Sequence, residues 1–296
     1  MGLAGRLDAF GLSDRGRVRD VNEDQFLIAD LQKSMMIEQT SLSHEDRTRL
    51  FGRSQGQLLV VADGMGGLGA GDKASRIAVS SVIRYALNTM DWFFRLAQER
   101  TDDLKEELVE ALNACQRGLD VVVDEHPEQV DMGTTLTMAY LIWPRMYVVH
   151  TGDSRCYLWR DGELAQLTRD HTVAEQLKDK GILGPGEPSR WRNVLYNFIG
   201  AGGAKLAPEV SRAELQQGDV VLLCTDGLTR HLKDGAIADI LRAGLSSVES
   251  CHRLVDAANK AGGRDNITVV VGRTDISQAS SSMVLKAIAE KTEPVR

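Results

Sequence analysis

Between residues 134 and 168 four apolar segments follow one another with only a few residues between them: TTLTMAYLI, MYVVHT, CYLWR and ELAQLT. Asp161-Gly162, between the last two, is a strong signal for a two-residue hairpin. Strands joined this tightly must pair antiparallel, because a parallel pair needs a crossover of a dozen residues or more. The chain is therefore not a doubly wound α/β fold. Before this run, QFLIAD (25–30) and LLVVA (58–62) read as short strands. Between them lies a polar stretch, within 31–57, too long for an ordinary connection. It reads as a surface insertion with a short helix around 44–51.

Two helices are expected next. The first, over about 73–90, carries Ile77, Val79, Val82, Ile83 and Leu87 near one face. The second carries Leu104, Leu108, Ala111, Cys115, Leu119 and Val122 at spacings of three and four, with Asp103 and Glu106 as a capping box. Residues 172–180 read as a helix stopped by Gly181. A loop with Gly184, Pro185, Gly186 and Pro188 follows. Two strands (RNVLYNFI and DVVLLC), two helices (about 235–243 and 247–260) and a last strand (NITVVVGR) complete the pass. Residues 276–296 read as a Ser-rich, loosely attached tail. Helix pairs interleaved with strand meanders indicate an α+β layered domain.

Composition narrows the function. The chain has 296 residues, 43% apolar and 26% charged, enough to bury a core. Its 35 Lys and Arg against 42 Asp and Glu leave a net charge of -7, which argues against a nucleic-acid partner. Cys115, Cys156, Cys224 and Cys251 form no C-x-x-C pair and read as buried thiols of a reducing cytosol. The six histidines are scattered. No apolar run reaches membrane-span length, and the N-terminus resembles neither a signal peptide nor a myristoylation site, Arg6 standing where Ser or Thr is wanted. A cytoplasmic protein is expected.

The informative residues are acidic and sit at strand ends. Asp63 ends LLVVA; Asp153 follows MYVVHT; Asp226 follows DVVLLC; Asp265 precedes the last strand; Glu23 and Asp24 precede the first. An Asp in such a place costs free energy if left unpaired, although any single one can be an ordinary turn residue. Strand ends on one side of a sheet converge, so these carboxylates can meet. Clustered carboxylates repel unless a cation joins them, and a donor set of oxygens alone favours Mg²⁺ or Mn²⁺ over Zn²⁺. Gly64 to Gly69 competes, because GMGGLG literally matches the dinucleotide fingerprint G-x-G-x-x-G. Asp63 would then face a pyrophosphate, no acidic residue ends a second strand downstream, and a meander replaces the parallel unit.

With these residues placed, the chain resembles the PPM (type 2C) family of metal-dependent Ser/Thr protein phosphatases, and most of all its compact bacterial members. The motifs run in family order: RDVNED (19–24), DGMGG (63–67), MGTT (132–135), GDSR (152–155), DH (170–171), RNV (192–194), TDGL (225–228) and RDNIT (264–268). The resemblance covers about residues 9–275, the catalytic domain, with 276–296 as a C-terminal tail. It implies an α-β-β-α four-layer sandwich, a central antiparallel β-sandwich flanked by helix pairs. It implies two Mn²⁺ or Mg²⁺ ions: Asp63 bridging both, the Gly64 carbonyl on one, Asp226 and Asp265 completing one, and Glu23 or Asp24 approaching the other. Asp153, with Asp226, would hold a third, weaker ion. Arg19 would grip the substrate phosphate through its two-pronged guanidinium, and residues 172–198 would form a variable substrate-facing flap.

The implied chemistry is hydrolysis of phosphoserine or phosphothreonine in proteins. A water acidified between two cations attacks phosphorus in line, while Arg19 and the cations offset phosphoryl charge. Where some members carry DGHGG, this chain has Met65, which donates no proton; a metal-bound water is the preferred acid and His171 a weaker candidate. The resemblance also implies a bacterial Ser/Thr kinase and its targets as partners, and a monomer. The alternatives are a catalytically silent member acting as a binding module, and a nucleotide-binding oxidoreductase built on residues 64–69. Every carboxylate position of the motif set is filled, which speaks against silence.

Overall fold

A computed structural model describes residues 6–39, 41, 49–67, 69–88, 101–184, 190–200 and 206–274. Two antiparallel sheets form its centre. In one, the strands run β1 (Asp8–Asp14), β12 (Ile267–Arg273), β11 (Val220–Cys224), β7 (Arg155–Arg160) and β8 (Glu163–Gln166). In the other they run β10 (Glu209–Glu214), β6 (Arg145–Thr151), β5 (Leu136–Ile142) and β3 (Arg49–Met65), with β2 (Asp24–Met36) also paired to β3. The end of β3 pairs with the short β4 (Gly133–Thr134), and β4 with β9 (Ile199–Gly200).

Side-chain alternation explains why the sheets stack and why each also carries helices. Along β3, Leu58, Val60 and Ala62 point to one core, while Leu59 and Val61 point to another. Along β11, Val220, Leu222 and Cys224 face outward to a third core, and Val221 and Leu223 face inward. A strand apolar on both faces must be covered on both. Leu59, Val61, Val148, Val221, Leu223 and Val270 fill the space between the sheets. α1 (Ala70–Asn88) and α2 (Thr101–Glu125) cover the β3 sheet through Ala78, Val82, Leu108 and Leu112. On the β11 sheet the cover is α5 (Asp234–Arg242) and α6 (Ser247–Lys260), through Ile237, Leu241, Leu254 and Ala258. Three cores between four layers give the expected α-β-β-α sandwich. Each fully buried Val or Leu contributes about 1.5–3 kcal/mol relative to exposure.

Local signals set the helix starts. Ser246 and Glu249 form a reciprocal capping box on α6. The Thr172 hydroxyl accepts from the Glu175 N–H to open α3 (Val173–Asp179).

The structure departs from the sequence reading in several places. Residues 31–36 and 49–57 are not insertion but the outer part of a long β2–β3 hairpin, and 49–51 are strand rather than helix; 42–48 lie outside the described residues. RNVLYNFI is not a strand: apart from one bridge, Thr172 to Leu195, it runs as loop into the two-residue β9. β1 and β10 went unread, because DAFGLSD and EVSRAE are short and carry charged ends. Asp103 lies inside α2, past Thr101, and so is not a cap; residues 89–100 lie outside the described residues. The tail, 276–296, lies outside the described residues.

All four cysteines are free and buried, and burial raises their thiols, Cys115, Cys224 and Cys251 to about 12. No thiolate nucleophile is available near neutral pH. Treatment of the folded protein with iodoacetamide is therefore expected to leave all four thiols unmodified, checked by intact mass.

Candidate metal centre

The antiparallel register carries every strand-end carboxylate to one end of the sandwich. Asp24, opening β2, is directly opposite Asp63 near the end of β3. The close of β6 lies opposite the start of β5, and Asp153 follows it. Cys224, last in β11, is opposite Val269 in β12, so Asp226 and Asp265 flank the same edge of the other sheet. A cleft of about 440 Å³ opens there, lined by Arg19, Glu23, Asp63, Gly64, Asp153, Asp226 and Asp265. Of the residues expected to hold metal or phosphate, Asp24 alone is not on its wall.

Asp63 is held by its backbone. Its N–H donates to Thr135 Oγ1 at 3.0 Å, and its carbonyl accepts from the Thr135 N–H and the Thr134 hydroxyl, both at 2.9 Å. Thr135 Oγ1 in turn meets Ser154 Oγ at 2.7 Å, so MGTT and GDSR are locked to DGMGG. At Gly64 a Cβ would fall 2.1 Å from the Gly71 carbonyl oxygen, which requires glycine. Glu23 and Asp24 point opposite ways, as neighbours at a strand start do. The Glu23 carboxylate lies against the Gly71 and Asp72 backbone at the start of α1; burial raises its pKa, while Arg19 and those backbone N–H groups oppose the rise. The buried Asp24 Oδ2 accepts from the Thr225 hydroxyl at 2.8 Å. Asn266 clamps the 15–24 loop, accepting from the Glu23 N–H and donating to the Arg15 and Val21 carbonyls.

The electrostatics are those of a negative cluster out of water. Burial, then the charges of Asp24, Asp226, Asp153 and Asp265, holds the Asp63 carboxyl well above the ordinary range. Burial and then Asp153 do the same to Asp226. Burial pushes Asp24 up to about 7. Asp226 Oδ1 and Asp24 Oδ1 are buried and make no hydrogen bond. Two guanidiniums enter the cluster. Arg19 Nε is 2.8 Å from Asp265 Oδ1, and Arg230 touches Asp226 and reaches Asp265 Oδ2 at 2.7 Å. Among the described residues, no three acidic, His or Cys side chains converge as a ready-made cage. The donor set nonetheless suits hard divalent cations: oxygens alone, several desolvated, with the orphaned Asp226 Oδ1 among them.

A family model for protein phosphatase 2C matches residues 36–265. The chain belongs to the protein phosphatase 2C family. The serine/threonine protein phosphatase PstP of Mycobacterium tuberculosis is 37% identical over 215 residues, 73% of this chain and 40% of PstP. The chain thus spans about two fifths of the length of that relative. The serine/threonine phosphatase stp of Listeria monocytogenes is 28% identical over 268 residues, 90% of this chain and 95% of stp. Among solved structures, that of Mycobacterium tuberculosis PstP/Ppp superposes with a TM-score of 0.72 at 32% identity, covering 90% of this chain and 98% of that one. The catalytic domain of PstP in complex with two manganese ions gives 0.69 at 32% identity, with the same coverage.

The 2C family match takes in Asp63, Gly64, Asp153, Asp226 and Asp265 and begins after Arg19, Glu23 and Asp24. Two readings fall away. The glycine run is no dinucleotide loop, since Gly64 and Met65 are part of β3 and every strand pairing among the described residues is antiparallel. His171 is buried and lines no wall of the main cleft. Its Nδ1 accepts from the Gly152 N–H, its Nε2 faces Glu209, and burial lowers its pKa, so it shapes the GDSR turn as a neutral ring. Arg155 is likewise structural, donating twice to Asp170 at 2.8 and 2.7 Å. Arg230 is the cleft residue that sequence reading missed. Its signal was the four-residue spacing from Asp226 in TDGLTR, which on a helix places both on one face.

Proposed function

We propose that this chain is a metal-dependent protein-serine/threonine phosphatase. The observation that carries the reading is the convergence of Glu23, Asp63, Asp153, Asp226 and Asp265 on one cleft at the end of a 2C sandwich. The PstP catalytic domain, similar over 90% of this chain, is known with two manganese ions, and we assign this chain the same need for Mn²⁺ or Mg²⁺. When bound, such cations acidify a water for attack on phosphorus and offset phosphoryl charge.

The residues divide the work. Asp63 would be the shared ligand, with the Gly64 carbonyl beside it, and Asp226 and Asp265 would hold one cation. Glu23, on the cleft wall, is assigned to the other. Asp24, behind the wall and held by Thr225, adds negative charge to the cluster. Arg19 sits at the mouth, half-exposed, with its Nε on Asp265. That bond leaves its terminal nitrogens to donate to two phosphate oxygens. Among the lining residues Met65 offers no proton, and His171 is buried off the wall, so water in the cleft is the donor to the leaving alkoxide. Asn193, Val194, Leu195 and Phe198 also line the cleft and would meet the peptide around the phosphoresidue. The silent alternative is disfavoured because no carboxylate of the set is missing from the wall except Asp24.

Phosphorylated proteins are the substrates on this reading, with a Ser/Thr kinase and its targets as partners. The catalytic unit is residues 9–275, acting as a monomer in the cytoplasm. Among the described residues no helix is long and apolar enough to cross a membrane. The testing experiment is phosphate release from matched phosphothreonine, phosphoserine and phosphotyrosine peptides with Mn²⁺. Turnover of the first two supports the assignment, and no turnover of any of them defeats it.

Arg19 and Asp265 touch, so their roles are separated by comparing variants. Arg19→Ala is expected to raise KM and to lower kcat, since charge developing on phosphate loses a partner. Asp265→Ala is expected to weaken Mn²⁺ binding far more than Arg19→Ala does, measured by titration calorimetry. Equal losses of metal would make Arg19 an organiser of the carboxylates and not a phosphate clamp.

A further inference from the structure

Arg230 has no assignment in the scheme above, yet it touches more of the cluster than any other cation. It follows directly on the short helix α4 (Asp226–Thr229). Its backbone N–H donates to the Asp226 carbonyl at 2.8 Å, which turns the side chain back over the same carboxylate. Nη2 contacts Asp226 Oδ2 and lies 3.9 Å from Asp153 Oδ2; Nη1 donates to Asp265 Oδ2 at 2.7 Å. Asp153 and Asp226 are themselves within hydrogen-bonding reach of each other. The guanidinium also lines an adjoining cleft of about 430 Å³ that shares Asp153, Asn193 and Asp226 with the first. It therefore stands at the junction of the two, in the position where Asp153 and Asp226 were expected to hold a third ion.

Those residues do not fit a third ion in this chain. A guanidinium cannot lose its charge in a protein, so it and a divalent cation between the same two carboxylates would repel at close range. Burial disfavours the charged Arg230, but the nearby Asp226, Asp153, Asp265 and Asp63 more than offset this, which keeps the group in place. Asp226 commits Oδ2 to Arg230 and leaves the buried Oδ1 without a hydrogen bond, an oxygen still open to a cation on the Asp63 side.

We propose that the Arg230 guanidinium is a tethered cation that replaces the third metal ion between Asp153 and Asp226, so that the chain holds two divalent ions and no third. The inference rests on the metal-centre reading. Its consequence is a centre that needs no high metal concentration to complete its charge.

The test is Mn²⁺ binding to the metal-freed full chain, followed by calorimetry and by electron paramagnetic resonance of free Mn²⁺. The unsubstituted chain is expected to take up two ions. Arg230→Ala is expected to take up a third in a weaker step, and Arg230→Ala with Asp153→Asn to lose that step again. Arg230→Lys keeps the charge and is expected to stay at two, which also serves if the alanine variant folds poorly. Three ions in the unsubstituted chain, or two in both it and a folded Arg230→Ala variant, overturn the proposal. Absence of any Mn²⁺ binding in every protein would instead bring down the metal-centre reading itself, and this inference with it.

Discussion

Asp63→Asn is expected to lower kcat at least about 100-fold, equivalent to about 2.7 kcal/mol of transition-state stabilisation, while leaving the fold intact. The substitution keeps the size of the side chain and removes the charge that two cations would share. The backbone bonds that hold residue 63, to Thr134 and Thr135, do not involve the carboxylate. In the metal-free protein the change is expected to be neutral or stabilising, because it removes one charge from a buried, mutually repelling set. A kcat near that of the unsubstituted chain would reduce Asp63 to a turn residue.

Burial of the cluster has a pH signature, because desolvation disfavours a charged carboxylate. Asp24 titrates at about 7 in the folded chain, against about 3.9 for an unfolded Asp. Between those values the folded state binds more protons than the unfolded one, so stability falls as pH rises. Its contribution is complete below about pH 4 and lost as pH passes 7. Thermal melts of the metal-free protein are expected to show Tm declining over that window and recovering when Mn²⁺ is added. A flat Tm across the window would mean that the carboxylates are solvated and not clustered.

Much of this was legible in the chain, for a physical reason. In VVLLC and LLVVA both alternating faces are apolar, so each strand must be covered on both, which with the helix pairs made an α+β layered domain legible; the four-layer sandwich itself came from the family resemblance. The strand-end aspartates were legible because an acidic residue closing a fully buried strand is costly unless something repays it. RNVLYNFI was misread since apolar content alone does not specify pairing. Val194, Leu195 and Phe198 instead line the cleft, while Asn197 caps the loop by exchanging hydrogen bonds with Ala207. β10 was missed because an edge strand with Glu209, Arg212 and Glu214 facing solvent or one another carries little hydrophobic signal. The split between Glu23 and Asp24 depends on which neighbour turns toward the cleft, and only the folded chain shows it: Glu23 lines the cleft, and Asp24 is buried against Thr225. Arg230 escaped because its three partners come from separate strand ends that meet only on folding.

Removal of divalent cations is the largest effect expected. Without them the cluster leaves Asp63 and Asp226 buried and repelling, with no group to acidify a water and only Arg19 and Arg230 to meet phosphate charge. The protein should stay folded, because its three apolar cores are built from side chains that do not depend on the cations. The decisive measurement is phosphate release from a phosphothreonine peptide before chelation, after exhaustive dialysis against EDTA, and after return of Mn²⁺ or Mg²⁺, with circular dichroism at each stage. The account predicts loss of turnover to background after chelation, unchanged secondary structure, and recovery on adding either ion. Full turnover by a protein shown to be free of metal would contradict it.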